Sequence, residues 1–208
     1  MALTLPPAGG LAGLLLAESP AYPDARGVFM ESFRADDWAK AGLPPLLQDN
    51  LSRSKKGVIR GLHFQKEPHA VGKLVRCARG RVFDVAVDIR KGSPTFGKWA
   101  GVELGEEGNR ALWIPAGFAH GFCALTDEAV VAYKVSGYWS PGVDAGVRFN
   151  DPAIGVKWPV APSEAQVSAK DAALALRPLA GRYCSALFGL GLLNASIFSA
   201  MILPIAPA

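Results

Sequence analysis

Apolar and polar residues alternate over short stretches between positions 57 and 135, and turn-forming Gly and Pro residues separate these stretches. The clearest alternation covers residues 81–89, where every second side chain is large and apolar and the others include Asp84 and Asp88. A period of two is typical of a strand whose two faces differ. The two carboxylates are therefore predicted to face a polar lumen or solvent. Further strands are predicted at residues 73–78, 96–104, 110–114, 119–125 and 129–135.

Six or more short strands at this spacing favour a mainly β fold, and a jelly roll in particular, over alternating strands and helices. Helix is scarce along the chain. The best candidate is a short helix at residues 36–41, with Asp36 or Asp37 as its N-terminal cap and Gly42 beyond its end. We therefore expect few and short helices.

The two ends of the chain differ from its middle. At 208 residues the chain is long enough for one well-buried domain, and we predict a single domain at residues 1–182. Residues 183–208 contain no charged side chain but are interrupted by Gly, Ser, Asn and Pro. We interpret them as an apolar extension, with a membrane anchor as the less favoured alternative. Residues 11–17 are apolar, but no Lys or Arg precedes them, so a signal peptide is not predicted.

Charge and cysteine content narrow the class of protein further. The 22 basic and 18 acidic residues give a formal net charge of +4, without a run of Lys and Arg that would follow a nucleic-acid backbone. An acidic small molecule is therefore a better-suited ligand than nucleic acid. The three cysteines are an odd number without a C-x-x-C pair, which favours reduced, buried thiols in a cytoplasmic protein.

The residues best suited to catalysis lie at positions 60–73. His63 and Lys73 place a potential base and a potential cation on neighbouring β-structure. A carbon acid beside a ketone loses its proton slowly unless a base accepts the proton while a positive group stabilises the oxyanion. An imidazole suits this task at neutral pH, and a carboxylate partner would raise its basicity and fix its tautomer. This pair of residue types therefore indicates enolate chemistry.

Several motifs occur together across most of the chain, within residues 22–171. They include Arg60-Gly61-Leu62-His63-Phe64-Gln65, Gly72-Lys73-Leu74-Val75, Asp84-Val85-Ala86-Val87-Asp88-Ile89-Arg90, Tyr133-Lys134 and Asn150-Asp151-Pro152. In their order and content they resemble the dTDP-4-dehydrorhamnose 3,5-epimerase family. The resemblance implies a cupin-type jelly roll that works without cofactor or metal. It also implies epimerisation at C3 and C5 of a 4-keto-6-deoxyhexose carried on dTDP, in dTDP-L-rhamnose synthesis.

The resemblance implies four catalytic residues. His63 would be the general base, and Asp171 would hold its ring. Tyr133 would return a proton to the opposite face of the sugar, and Lys73 would stabilise the enolate. Alternation along residues 131–135 also points Tyr133 to the enclosed side of its strand.

The resemblance further implies contacts to the nucleotide sugar, with Tyr138 stacked on thymine. Asp144 belongs to this set, although it is one methylene shorter than the Glu that is usual in the family. An N-terminal segment with Arg26 and Phe29 would reach the site of a partner subunit, which implies a homodimer. The other residues of the set are Glu31, Gln48, Asn50, Arg60, His120 and Lys170.

One conflict arises between this set and the strand pattern. Simple alternation sends Arg60 and His63 to opposite faces of a strand, whereas the resemblance places both at the ligand. Gly61 is therefore predicted to mark a bulge or a twist.

Three other functions are compatible with parts of the sequence. A relative that epimerises only C3 or only C5 would use the same base, and the sequence does not discriminate it. A metal-dependent cupin oxygenase would need clustered ligands, for which His63, His69 and His120 are available without an H-x-H spacing. A binding module without turnover is disfavoured because all four implied catalytic residues are present together.

Overall fold

A computed structural model describes residues 3–176 of the chain. This part consists of short strands and two short helices, which confirms the prediction of a mainly β protein with few helices. In chain order the elements are β1 (Leu15–Glu18), β2 (Ala21–Asp24), β3 (Gly27–Met30), α1 (Ala35–Lys40), β4 (Gln48–Lys55), β5 (Ile59–Gln65), β6 (Lys73–Arg79), β7 (Arg81–Asp88), β8 (Trp99–Gly105), β9 (Arg110–Ile114), β10 (Phe118–Ala124), β11 (Glu128–Val135), β12 (Asp144–Gly146) and α2 (Ala169–Ala172).

Two five-stranded antiparallel sheets carry the fold. The first has the strand order β1-β9-β6-β11-β4 and the second the order β12-β5-β10-β7-β8, while β2 and β3 form a separate hairpin. Most neighbouring strands are distant in sequence, which is typical of a jelly roll and not of a simple meander. The observed architecture is the predicted cupin-type jelly roll.

The space between the two sheets is filled by apolar side chains from both. Val75 and Leu112 extend from the first sheet, and Val82 and Phe122 extend from the second. All four are buried, and each side chain of this kind contributes about 1.5–3 kcal/mol when it leaves water. The two-residue period of the strands therefore supplies the core that holds the sheets face to face.

The outer faces of the sheets are covered by different parts of the chain. Behind the second sheet, the segment after β12 packs Val147 and Trp158 near Val85. Behind the first sheet, Trp38 of α1 meets Trp113 edge-on, with ring centroids 5.1 Å apart. The segments before β4 and after β12 thus support the sheets from opposite sides.

The six predicted strands all occur, with ends that differ from the predicted ones by a few residues. The predicted helix occurs as α1, but the prediction of its cap is wrong. Arg34 occupies the N-cap position, and Asp36 and Asp37 lie in the first turn. Carboxylates there interact favourably with the positive end of the helix dipole, which explains their position without a capping bond.

The apolar residues near the N-terminus belong to the fold. Leu11 and Leu14 are buried between the sheets, and β1 pairs with β9. The predicted domain boundary at residue 182 and the apolar extension 183–208 lie outside the described residues, so both stay predictions. Within residues 3–176, no helix is long and apolar enough to cross a membrane.

Two of the three cysteines are described, and both are free and buried, as predicted. Burial raises the pKa of the Cys77 thiol, and it raises the pKa of Cys123 to about 11. Both thiols are therefore protonated at neutral pH and have the packing role of small apolar side chains. Cys184 lies outside the described residues.

Candidate active site

A cleft of about 470 Å³ opens between the two sheets. The first sheet contributes Lys73 from β6 and Tyr133 from β11, while the second contributes His63 from β5 and Asp144 from β12. The cleft has the size of a site for a small molecule. Three of the four implied catalytic side chains therefore line one cavity, and the fourth, Asp171, lies directly behind His63.

The His63 ring is oriented by a buried carboxylate. Its Nε2–H donates a hydrogen bond of 2.7 Å to Oδ1 of Asp171. A carboxylate only accepts, so Nε2 carries the proton and Nδ1 keeps its lone pair. The Asp171 side chain is 5% exposed, whereas that of His63 is 39% exposed because the ring faces the cleft. The imidazole is thus held by one nitrogen while the other is available as a base.

Burial lowers the pKa of His63 below its ordinary value of 6.5, and the opposing effect of Asp171 does not fully compensate. The nearby charges of Lys73 and His120 lower the pKa of His63 further. Asp171 raises the pKa of His63, as predicted, but the cost of burying an imidazolium is larger, so the net shift is downward. The ring is neutral at pH 7 and ready to accept a proton.

The ammonium of Lys73 lies next to the His63 backbone. Its Nζ donates a hydrogen bond of 3.3 Å to the carbonyl oxygen of His63. Burial lowers the pKa of Lys73 to about 8, although Asp84 and Asp144 both favour its charged form. Lys73 therefore remains mostly cationic at neutral pH, as a group that stabilises an oxyanion must be.

Tyr133 faces the enclosed side of β11, as predicted. Its ring packs against the core between the sheets and also lines the cleft. Burial raises the pKa of Tyr133 above its ordinary value of 10; the charge of Arg60 acts in the opposite direction, and Asp144 raises the pKa further. The phenol therefore keeps its proton at neutral pH, so that it is able to act as an acid.

A bulge in β5 turns His63 toward the cleft. His63 pairs with His120 and Arg60 pairs with Phe122, so three steps along β5 match two steps along β10. Gly61 lies at the extra position with φ of 127°, and a Cβ there would lie 2.6 Å from the backbone of β10. Only Gly is compatible with both constraints. The predicted bulge at Gly61 is confirmed, and it resolves the conflict with simple alternation.

A second histidine–carboxylate pair lies inside the sandwich. Nε2 of His120 is 3.1 Å and 3.0 Å from the two carboxylate oxygens of Asp84. The two side chains are only 9% and 0% exposed. Asp84 therefore faces the polar interior, which is one of the two environments predicted for it. His120 is not part of the cleft wall, and its predicted contact with the nucleotide stays a prediction.

Four of the predicted ligand contacts do line the cleft: Gln48, Asn50, Asp144 and Lys170. Nε2 of Gln48 donates a hydrogen bond of 2.9 Å to Oδ1 of Asn50. Nζ of Lys170 lies 3.7 Å from a carboxylate oxygen of Asp144. These side chains form a polar rim at one place in the fold, and their contacts with a ligand stay predictions.

Three of the predicted contacts lie elsewhere within the chain, on or next to the β2–β3 hairpin. The Arg26 side chain is 90% exposed and pairs with Asp24. Phe29 is 71% exposed, and Glu31 binds Arg34. Phe29 and Glu31 line a second cavity of about 370 Å³ between the hairpin and the first sheet. None of the three lines the 470 Å³ cleft, and their contacts with a ligand stay predictions.

Arg60 is also outside the cleft wall. Its Nε donates a hydrogen bond of 3.0 Å to the hydroxyl of Ser54, and its Nη2 donates one of 3.1 Å to the carbonyl oxygen of Arg53. These bonds hold the guanidinium beside β4. Its charge nevertheless acts on Tyr133, so Arg60 lies near the cleft and its contact with a ligand stays a prediction.

Of the two adjacent aromatic residues Tyr138 and Trp139, only Trp139 lines the cleft, and Tyr138 is 68% exposed. The indole Nε1–H of Trp139 donates a hydrogen bond of 2.9 Å to Oδ2 of Asp144. Neither Trp139 nor Gln65, which also lines the cleft, was predicted as a site residue from the sequence. Two adjacent aromatic residues in a loop do not follow strand alternation, so the sequence pattern carries no signal for which ring faces the cavity.

The described histidines do not form a metal site. Within residues 3–176, no three His, Cys, Asp or Glu side chains are placed to hold a metal ion. His63 and His120 are each bonded to a carboxylate, and His69 lies in an exposed turn. This geometry gives no support to the oxygenase alternative.

The inter-sheet cleft of this jelly roll holds an oriented imidazole, an ammonium and a phenol. This combination of fold and site defines a class of proteins, the cupin-type epimerases. Residues 9–177 match the family profile described as dTDP-4-dehydrorhamnose 3,5-epimerase. An enzyme of that name from Shigella flexneri is 54% identical over 149 residues, which is 71% of this chain and 82% of that protein. The chain therefore belongs to the dTDP-4-dehydrorhamnose 3,5-epimerase family.

Solved structures agree with this assignment. The dTDP-6-deoxy-D-glucose-3,5-epimerase of Legionella pneumophila Philadelphia 1, crystallised in complex with dTDP-4-keto-L-rhamnose, is 45% identical with a TM-score of 0.78. The match covers 83% of this chain and 91% of that chain. Similarity at this level extends to the fold and to the arrangement of the strands around the cleft.

Two further matches bear on the alternatives. A dTDP-4-dehydrorhamnose 3-epimerase from Streptomyces niveus is 46% identical over 138 residues, which is 65% of this chain and 67% of that protein. Single epimerases are thus similar to this chain as well. A profile described as natural resistance-associated macrophage protein-like matches residues 159–208. Most of that stretch lies beyond the part that the structure describes, and the match carries no argument about function.

Proposed function

We propose that this protein epimerises C3 and C5 of a dTDP-linked 4-keto-6-deoxyhexose, the dehydro-glucose precursor of dTDP-4-dehydro-L-rhamnose. The observation that carries the proposal is the His63–Asp171 pair, which directs a neutral imidazole into a cleft shared with Lys73 and Tyr133. Proton transfer at a carbon next to a ketone requires a base, a cation and an acid. All three line this cavity. Family membership provides the substrate class.

Each epimerisation is a proton exchange through an enolate. Nδ1 of His63 takes the proton from the carbon, and the electron pair of the C–H bond moves to the C4 oxygen. The Lys73 ammonium stabilises this oxyanion. The Tyr133 phenol then gives its proton to the opposite face of the carbon while the C4 carbonyl re-forms. The phenolate and the imidazolium return to their starting states by exchange with water, so the cycle balances without a co-reactant.

The C4 ketone lies between C3 and C5, so it acidifies both C–H bonds. One base serves at both carbons if the sugar ring turns within the cleft between the two steps. The pKa values suit this repetition, since His63 is neutral, Tyr133 is protonated and Lys73 is largely charged at pH 7. The same three side chains would therefore complete both inversions.

The polar rim and Trp139 would hold the nucleotide half of the substrate. Lys170 offers a cation for the diphosphate, and Gln48 and Asn50 offer amide donors. The Trp139 ring lies in the cleft wall, so we assign the thymine stack to Trp139 in place of Tyr138. Base–aromatic stacking needs an accessible ring face, and Trp139 is 56% exposed.

A homodimer would complete the site. The β2–β3 hairpin presents the exposed side chains of Tyr22, Val28 and Phe29, and a monomer that leaves such a surface in water is unfavourable. If the hairpin of one protomer lies at the cleft of its partner, Arg26 and Phe29 reach the ligand there. A mixture of Arg26→Ala and His63→Ala chains should then regain activity, because heterodimers contain one intact site. Light scattering that shows a monomer at working concentration would contradict this assembly.

Proton exchange with heavy water tests the reaction itself. The purified protein is incubated with dTDP-4-keto-6-deoxyglucose in deuterium oxide, and the product is examined by NMR. We expect deuterium at both C3 and C5, together with inversion at both carbons. Deuterium at one carbon alone would assign the protein to the single epimerases, and no exchange would end the proposal.

The second candidate function is epimerisation at a single carbon. The similarity of this chain to the Streptomyces niveus 3-epimerase makes single epimerisation the alternative that the experiment must exclude. A single epimerase would use the same base.

We also infer a cytoplasmic location from the two free, buried thiols, and a single domain that ends near residue 182.

A further inference from the structure

The loop between β11 and β12 carries Trp139. Hydrogen bonds with side chains of the neighbouring strands hold this loop in place. The Trp139 N–H donates a hydrogen bond of 3.1 Å to Oε1 of Gln48, and the Ser140 N–H donates one of 2.8 Å to Oε1 of Gln65. Gln48 is the first residue of β4 in the first sheet, and Gln65 is the last residue of β5 in the second. The loop is therefore attached to both sheets, one amide from each.

Gln65 makes more connections than this single bond. Its Nε2 donates a hydrogen bond of 3.1 Å to the carbonyl oxygen of His69 and one of 3.5 Å to that of Tyr138. One amide thus bridges the turn after β5 to the residues on both sides of Trp139. Both ends of the Gln65 amide are satisfied by protein groups, which leaves it little capacity to bind a ligand as well.

The indole ring is fixed separately from its backbone. Asp144 accepts the Nε1–H of Trp139 at 2.9 Å, and Asp144 pairs with Gln65 across β12 and β5. The residue that holds the loop and the residue that holds the ring are therefore register partners. A shift of Gln65 would disturb both contacts at once.

We infer that Gln65 is a positioning residue that holds Trp139 in the wall of the cleft and thereby sets the affinity for the nucleotide half of the substrate. The part of this inference that concerns the ligand rests on the proposed function. The proton chemistry of His63, Lys73 and Tyr133 does not depend on the loop, so binding and turnover should respond differently.

Three substitutions separate this role from a general effect on folding. Gln65→Met keeps the length of the side chain and removes all of its hydrogen bonds. Gln65→Glu keeps the acceptor for the Ser140 N–H but removes the donors to the two carbonyls. Gln166→Met is the matched control, because the Gln166 amide also donates to a backbone carbonyl, that of Lys56, but lies away from the cleft.

The first measurement uses the protein without ligand. Trp139 is the exposed one of the five tryptophans. Its emission is obtained by subtraction: the fluorescence of each variant is measured with and without the additional substitution Trp139→Phe, and the difference is the emission of Trp139. We expect acrylamide to quench Trp139 more strongly in Gln65→Met than in the parent, an intermediate effect in Gln65→Glu, and none in Gln166→Met. Unchanged quenching in both Gln65 variants would overturn the inference.

The second measurement compares binding with turnover. Removal of a base–aromatic stack weakens binding by about 5- to 150-fold, and a loosened ring should lose part of that. We expect Gln65→Met to raise the Kd of dTDP and the KM of the nucleotide sugar by about three- to tenfold, with kcat changed less than twofold. A higher KM with unchanged quenching would make Gln65 a direct ligand contact and overturn the positioning role.

The two measurements also separate this inference from the proposed function. If the protein does not turn over the nucleotide sugar, the quenching of Trp139 still reports whether Gln65 holds the loop. If turnover occurs but Gln65→Met leaves Kd, KM and quenching as in the parent, only the positioning role fails. Thermal unfolding of each variant checks that the variant is folded. If Gln65→Met does not fold, Gln65→Glu provides the test.

Discussion

Two histidines lie opposite each other on paired strands, and each is bonded to a buried carboxylate, yet their surroundings differ. His63 on β5 is the register partner of His120 on β10. The His63 side chain is 39% exposed to the cleft, whereas that of His120 is 9% exposed and sealed between the sheets. The bond to the carboxylate is thus common to both, and access to a substrate distinguishes them. A histidine–carboxylate pair becomes a base only where the free nitrogen meets a cavity.

Lys73 connects the two pairs. It donates to the backbone of His63, and the charge of Asp84, the partner of His120, favours its protonated form. The sealed pair is therefore expected to act on the reaction through the charge of Lys73, and the open pair through direct proton transfer.

Removal of the open imidazole should have the largest effect. We expect His63→Ala to slow exchange at C3 and C5 by about 10³- to 10⁴-fold, at the upper end of the range for general base catalysis. The Kd of dTDP should stay within about threefold, because the proposed mechanism places the ring at the sugar half of the substrate. Exchange is measured by NMR in deuterium oxide and Kd by calorimetry. Exchange at the parent rate would refute the assignment of the base.

Removal of the acid should affect inversion more than exchange. We expect Tyr133→Phe to reduce net inversion at C5 by about 10²-fold, while deuterium still enters through His63 on the original face. The ratio of exchanged to inverted product, read by NMR, checks this. An equal loss of both would mean that Tyr133 contributes to abstraction or binding and not to reprotonation.

Loss of the carboxylate charge should distinguish the two pairs most directly. Asp171→Asn should lower kcat by about 10- to 100-fold, because an amide is able to donate to Nε2 and move the ring proton to Nδ1. Asp84→Asn should lower kcat less and should reduce the free energy of unfolding by about 1–3 kcal/mol, the cost of disturbing a buried hydrogen bond. Urea unfolding and initial rates measure the two effects. The reverse pattern would place the base at His120.

The pH dependence should show the smallest and most specific effect. The plot of kcat/KM should fall below the pKa of His63, which lies under 6.5, and fall again above about pH 8, where Lys73 loses its proton. Because Asp84 raises the pKa of Lys73, Asp84→Asn should move the alkaline limb to lower pH. Lys73→Arg should move it to higher pH, since a guanidinium stays charged. An alkaline limb that neither variant shifts would belong to another group.

The same linkage acts on stability. The pKa of His63 is lower in the folded protein than in the unfolded chain, so the unfolded chain binds more protons as the pH falls below 6.5. Folding stability contributed by the neutral ring is present above that pH and is lost below it. Thermal unfolding between pH 5 and pH 7 should therefore show a smaller decline in His63→Ala than in the parent.

Strand periodicity and residue chemistry predicted much of this molecule. The alternation at residues 81–89 separated Asp84 from the wholly apolar face and left a polar interior or solvent as its environment; the interior is the one observed. Alternation along β11 placed Tyr133 in the enclosed space. Periodicity has this power because successive side chains in a strand point to opposite faces, whatever the rest of the chain does. The Gly61 bulge followed from a conflict between strand alternation and the family resemblance, which places both Arg60 and His63 at the ligand.

Other features depended on contacts between distant segments. The net lowering of the His63 pKa results from burial of the ring within the fold. Trp139 rather than Tyr138 lines the cleft, and the loop that carries both is bonded to two glutamines from different sheets. None of these effects is a property of a short stretch of sequence.

The sequence by itself determined the fold class, the residue types for enolate chemistry and the family to which they belong, because these depend on local periodicity and on the order of motifs. Only the tertiary structure decided three features: that His63 and not His120 is open to the cleft, that Trp139 and not Tyr138 lines it, and what fraction of Lys73 is charged at a given pH. Those outcomes depend on solvent access and on charges a few ångströms away, and both are set by strands that are far apart in the chain.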